Sequence, residues 1–165
     1  MSTDALVLLK ADHREVAKLF AEFEKVSTTP ARKRAIVSTV LELLTVHTYL
    51  ENEVVYPQVR KAVPAIEDDI LESYEEHHVV DVLASELVAM DPVSERFFPK
   101  FTVLMENVRH HVKEEEEEWF PQVRAAMSRT QLREMGAQLL DMKPTAPRSP
   151  AQPSALKKAL DAVIS

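Results

Sequence analysis

The chain has 165 residues, with 27 acidic against 20 basic side chains, a formal net charge of −7, no cysteine and one glycine, Gly136. So little glycine disfavours strand-rich folds, which need it at turns and bulges, while the missing cysteines exclude disulfides and thiolate sites. No basic stripe tracks a phosphate backbone, Leu6 to Leu9 is too short for a signal peptide, and no apolar run approaches the about 20 residues of a membrane span; the expectation is an all-α cytoplasmic protein with no nucleic-acid and no membrane partner.

The first helical pattern spans residues 4–26. Leu6, Leu9, His13, Val16, Phe20 and Phe23 recur at 3-and-4 spacing, so the inward stripe carries His13. Ser27-Thr28-Thr29-Pro30 is a turn cluster. The second pattern, residues 31–60, puts Ile36, Val40, Leu44, His47, Leu50, Glu51 and Val54 on or near its inner face. Pro57 lies inside it and, lacking an N–H, is expected to kink or end the regular part. After Ala62-Val63-Pro64-Ala65 the third helix, residues 66–90, carries Ile70, Tyr74, His77, Val80, Ala84 and Leu87 on one side. Asp91-Pro92 and Ser94 form a turn and a helix start. The fourth helix, residues 93–127, runs through Phe101, Leu104, Val108, His111, Glu115 and Glu118.

Beyond Ser128 the character changes. Residues 130–142 form a shorter amphipathic helix that caps the bundle, and the proline-rich stretch after it has no means of burying a core. The expected organisation is a bundle over residues 1–127, an accessory helix over 128–142, a linker over 143–154 and a short C-terminal helix over 155–165.

One short phrase is written twice. Residues 47–60 read HTYLENEVVYPQVR and residues 111–124 read HVKEEEEEWFPQVR, identical at seven of 14 positions. The offset of 64 also takes His13 to His77, Val16 to Val80, Leu19 to Leu83 and Glu22 to Glu86. Helices one and two therefore form a hairpin that recurs as helices three and four, and two such hairpins pack most simply as an up-down-up-down four-helix bundle. Distances from the shared turns put His13, His47, Glu51, His77, His111 and Glu115 at similar heights, within roughly one helical turn at 1.5 Å per residue.

Any one of these histidines alone reads as a hydrogen-bonded core residue, and a single His-x3-Glu pair as a surface contact. Six ionisable groups in one apolar slab are different, because they are strongly destabilising unless something satisfies them. A pair of metal ions does so. Within the run Glu114 to Glu118, Glu115 is chosen as the mate of Glu51; Glu114 and Glu118 are mated to Leu50 and Val54 and gain no support. His78 and His110 read as flanking groups, Tyr74 as core filling, and Pro-Gln-Val-Arg as a structural helix end. Imidazole and carboxylate without sulfur suit iron, with manganese or zinc as alternatives, and six ligands exceed one tetrahedral zinc. The expected cofactor is two iron ions, each held by two histidines, sharing both glutamates and an oxo or hydroxo bridge.

The chain resembles the haemerythrin-like family, the HHE cation-binding domains, over residues 1–127. The resemblance rests on DHREV around His13, His47-x3-Glu51 followed by Tyr56-Pro57, EEHH around His77, and His111-x3-Glu115 followed by Phe120-Pro121. It implies a non-haem di-iron centre on His13, His47, Glu51, His77, His111 and Glu115. Asp81 stands where the oxygen-carrying members have a further histidine, which implies sensing, storage or redox roles rather than oxygen transport. The expected function is binding of O2, NO or peroxide in stress response or sensing. The alternative is a di-iron enzyme that decomposes hydrogen peroxide or reduces NO, with Asp81 or Tyr74 assisting proton transfer. A monomer or weak homodimer is expected.

Overall fold

Asp4 starts the first helix: its carboxylate accepts from the N–H groups of Leu6 and Val7, satisfying two of the donors that a helix start leaves free, and α1 runs Ala5–Glu24. The computed structural model describes residues 3–150, and every regular element among them is helical. Thr29 caps α2 (Pro30–Leu50), accepting from Arg32 N–H with Pro30 pre-set in the first turn.

The regular α-helix ends at Leu50, ahead of Pro57, but the chain stays helical through the proline. The Tyr56 N–H reaches the Glu51 carbonyl five residues back, so Glu51–Val55 forms one π turn, and α3 (Tyr56–Ala62) continues from it. A proline cannot donate to the carbonyl four residues back and its ring crowds that carbonyl; the extra residue in the wide turn absorbs the mismatch. The second hairpin repeats the device, with a π turn at Glu115–Trp119 just ahead of Pro121.

A 3-10 turn, Pro64–Ile66, leads into α4 (Glu67–Ala89). The fourth long helix, α5, starts at Phe97 rather than residue 93, because turn bonds from Ser94 N–H to Asp91 and from Phe97 N–H to Ser94 hold residues 91–96 outside it. It runs Phe97–Glu114 and continues beyond its π turn as α6 (Phe120–Ala126). A capping box between Ser128 and Gln131 opens α7 (Arg129–Met142).

Helix α1 lies along α2 and α4 along α5, so two hairpins make a four-helix bundle, and α7 lies along α1. Its apolar core is in two parts. Phe20, Ile36, Val40, Phe101 and Leu104 belong to the part near the α1–α2 turn, while Leu6, Leu50, Tyr56, Trp119, Phe120 and Met135 belong to the other. Between them lies a polar layer in which His13, His47, Glu51, His77, His111 and Glu115 are all buried. None of the described helices is long and apolar enough to cross a membrane.

The linker, expected to bury nothing, does so at its start. A 3-10 turn, Lys143–Thr145, prolongs α7, Ala146 is buried, and Lys143 and Arg148 pair with Asp12 and Glu42. The end of the linker at 151–154 and the short helix at 155–165 lie outside the described residues.

Gly136 sits where α7 crosses the start of α1; a Cβ there would overlap the Thr3 carbonyl oxygen. Gly136→Ala is expected to lower unfolding stability by about 1–3 kcal/mol, the usual scale for overpacking, read as an earlier denaturation midpoint. An unchanged midpoint would show that α7 does not approach α1 this closely.

Candidate metal centre

Each long helix contributes to the polar layer: His13 from α1, His47 from α2, His77 from α4 and His111 from α5, with Glu51 and Glu115 opening the two π turns. Helical spacing lays each glutamate under the histidine four residues before it and so on the same inward face, and the π turn begins at that glutamate. Glu51 and Glu115 are 0 % exposed.

The six side chains divide into two groups. In the first, His13 Nε2 lies 3.2 Å from His47 Nε2 and 3.1 Å from Glu115 Oε2, and His47 Nε2 lies 3.2 Å from Glu51 Oε1. In the second, His77 Nε2 lies 3.0 Å from His111 Nε2 and 3.1 Å from Glu51 Oε2, and His111 Nε2 lies 3.2 Å from Glu115 Oε1. Each carboxylate thus gives one oxygen to each group. Bonds of about 2.0–2.2 Å to a shared cation place adjacent ligand atoms roughly 3 Å apart, which is the spacing found. Glu51 Oε1 and Glu115 Oε2 are fully buried and have no partner beyond the imidazole Nε2 atoms at 3.1–3.2 Å. Such atoms are costly, and a cation among them would remove that cost.

The Nδ1 atoms are tied down from outside. His13 Nδ1 meets Glu116 at 2.7 Å, His47 Nδ1 meets Asp12 at 3.3 Å, His77 Nδ1 meets Asn52 at 2.8 Å, and His111 Nδ1 meets Glu76 at 2.5 Å. An acceptor on Nδ1 keeps the proton there and turns Nε2 inward as a lone-pair donor. The four acceptors obey the repeat as well: adding 64 takes Asp12 to Glu76 and Asn52 to Glu116. That signal was present in the sequence and went unread.

Sequence reading also missed Tyr56, whose hydroxyl enters the second group, 3.0 Å from His77 Nε2, 2.9 Å from Glu115 Oε1 and 3.4 Å from Glu51 Oε2. Its ring stacks on His77 at 5.2 Å as that of its repeat mate, Phe120, stacks on His13 at 6.1 Å. One hydroxyl breaks the pseudo-symmetry. Tyr74, expected to fill the core and considered as a proton donor, packs edge-on against Tyr56. Asp81 is in neither group; burial, countered by His78, pushes its pKa up to about 6. His110 is largely exposed and pairs with Glu114 and Glu76.

Charge balance in the layer is carried by protons when no cation is bound. Burial disfavours the imidazolium of His47, but Glu51 and Asp12 outweigh it and push its pKa up to about 10. His111 is likewise raised well above its usual value, against burial, by Glu115, Glu51 and Glu76. Glu51 is held well below its usual range, against burial, by His47, His111 and His77. Burial and the neighbouring charge of His111 lower His77, and burial with Glu115 and Glu51 raises Tyr56, so its phenol keeps its proton.

A helical bundle with two carboxylates spanning two pairs of buried imidazoles defines a class, the proteins that hold cations in a bundle core. The chain belongs to the hemerythrin HHE cation-binding domain family, whose family model matches residues 4–123. Over 124 residues it is 30 % identical to a protein of Nostoc sp. (strain PCC 7120 / SAG 25.82 / UTEX 2576) described as a DNA nickase, covering 75 % of this chain and 34 % of that one. The chain therefore spans about a third of that relative's length. The crystal structure of a hemerythrin HHE cation binding domain-containing protein from Mycobacterium kansasii shares the fold, with TM-score 0.67, 20 % identity and 86 % coverage of each chain. Family and buried side chains together point to metal-ion binding.

Because metal ions require neutral imidazoles, uptake displaces the protons of His47 and His111. Adding Zn2+ to the ion-free protein at pH 7 is expected to release about two protons, with affinity rising as pH rises. The ion-free fold has the opposite dependence at high pH. The contribution of His47 is complete below its unfolded value of 6.5 and is lost as pH climbs through about 10, whereas that of Glu51 is lost as pH falls below 4.5. Calorimetry in buffers of different ionisation enthalpy measures the release; none at pH 7 would show that the two imidazoles are already neutral.

Proposed function

We propose that the protein binds two iron ions through His13, His47, Glu51, His77, His111 and Glu115, and that the pair takes up O2, NO or peroxide in stress response or sensing. The observation that carries this reading is the sharing of both buried carboxylates: one oxygen of each serves each histidine pair, and two of the four oxygens have no partner other than those imidazoles. Imidazole and carboxylate without sulfur suit iron, manganese or zinc. Iron supplies the electrons that O2, NO or peroxide chemistry requires and that zinc, a redox-inert Lewis acid, lacks.

The space beside the layer supports a small ligand. A chamber of about 20 Å³ is lined by the four histidines, by Asp12 and Thr48, and by five aliphatic side chains, among them Val16, Val108 and Val112. A single water needs about 10–15 Å³ by the same measure, so the chamber suits a molecule of one or two heavy atoms. The surface facing the chamber is carbon, which favours small uncharged molecules. An open cleft of about 190 Å³ shares His13, Val16, Val108 and Val112 with it and provides the approach from solvent.

One observation favours the enzymatic alternative, in which the protein decomposes hydrogen peroxide or reduces NO. The Tyr56 hydroxyl, buried and protonated, donates to Glu115 Oε1 within the site. It places a hydrogen-bond donor inside the site without admitting water. Tyr56→Phe removes that donor and leaves the ring stacking.

Protein purified aerobically is expected to hold two irons per chain, one for each ligand group, and to lose both in Glu51→Ala, since that carboxylate serves both. Iron analysis checks this, together with spectra before and after peroxide or NO. A stable, reversible spectral change supports the binding role. Sustained O2 release from peroxide that falls in Tyr56→Phe supports the enzyme. Colourless, iron-free protein whose unfolding is unchanged by added iron contradicts both.

A further inference from the structure

All four Nδ1 anchors sit on bundle helices or their π turns, Asp12 on α1 among them, and Glu76 is backed by His110 at 3.5 Å from α5. Asp12 differs in its second partner. One of its carboxylate oxygens meets His47 Nδ1, and the other accepts from Lys143 Nζ at 2.9 Å, 131 residues away in sequence. Lys143 lies in the strap that leaves α7. This strap is held to the bundle by buried Ala146 and by Arg148 on Glu42 at 2.7 Å. The Asp12 contact to His47 is also the longest of the four, 3.3 Å against 2.5–2.8 Å.

We infer that Lys143 is a positioning residue for the metal centre: by holding Asp12 it orients His47, so that docking of the C-terminal strap and cation binding at the His13–His47–Glu51–Glu115 group reinforce each other. The inference rests on the proposed metal binding. The Lys143 side chain is 45 % exposed and that of Asp12 23 %, and an ion pair so exposed adds little to folding by itself. Its consequence lies in ligand orientation. The second group is not tied to the strap in this way, since Glu76, the repeat mate of Asp12, is backed by His110 of α5 instead. The two cations are therefore unequal, and the strap acts on one of them. Thermodynamic linkage makes the effect mutual: whatever factor the docked strap adds to cation affinity, the bound cation adds to strap docking.

The test is stepwise Zn2+ affinity by chelator competition in the wild type, Lys143→Met and Lys143→Arg, with the unfolding midpoint of each ion-free protein. Lys143→Met is expected to weaken one of the two ions by about 3- to 10-fold, less than the 10–100-fold typical of removing a direct partner of a ligand. The other ion and the ion-free midpoint stay unchanged, and Lys143→Arg restores the affinity. In the wild type, Zn2+ is expected to slow trypsin cleavage after Arg148 by a similar factor. Unchanged affinity for both ions in Lys143→Met, equal weakening of both, failure of Lys143→Arg to restore, or cleavage insensitive to Zn2+ would each overturn the inference. Wild-type protein that holds no ion would instead remove the metal reading itself, and is recognisable because it needs no variant.

Discussion

Two carboxylates with no access to water, Glu51 and Glu115, are the constraint around which the molecule is organised. An isolated buried carboxylate is costly enough that proteins either neutralise it or surround it with cations and donors. Here four imidazoles surround the pair, and outside each imidazole a side-chain oxygen holds the ring in place. Either protons on His47 and His111 or bound cations balance the charge, and the choice between them couples cation uptake to pH.

The fold supplies the geometry through repetition. Two hairpins offset by 64 residues bring two His-x3-Glu clasps face to face, and the π turns at Glu51 and Glu115 let each helix carry a carboxylate inward and still accommodate the proline six residues on. The polar layer separates two apolar clusters, so packing on both sides fixes its height. Departures from the repeat are where the two halves acquire different chemistry. Tyr56 faces Phe120 across the pseudo-axis, Asn52 faces Glu116, and the acid mated to Glu76 leans on Lys143 rather than on His110. The first group is the more acidic and is tied to the strap, while the second carries the phenol.

Much of this was legible in the sequence. Periodicity gave the inward stripes and the repeat gave the hairpin, so the helices, their order and the convergence of six side chains could be read before any coordinates. Helix boundaries were less accessible, because the start of α5 depends on turn hydrogen bonds around Asp91 and Ser94 that periodicity does not encode. Pro57 was read by its local rule, and the interruption takes the form of a wide turn ahead of it that nothing in the apolar pattern signals. Tyr56 was invisible for a different reason: its repeat mate is phenylalanine, and aromatic residues at helical spacing read as core, so only the direction of the hydroxyl distinguishes it. Lys143 was hidden by distance along the chain, within a segment whose composition resembles a linker.

The most direct test is a crystal of iron-loaded protein measured at the iron absorption edge. The expected map holds two anomalous peaks per chain: one among the Nε2 atoms of His13 and His47 with Glu51 Oε1 and Glu115 Oε2, the other among those of His77 and His111 with the opposite oxygens. Bonds of about 2.0–2.2 Å to these ligands are expected. A map without peaks in the layer, a single peak, or iron bound elsewhere while the two glutamates remain as they are would contradict it.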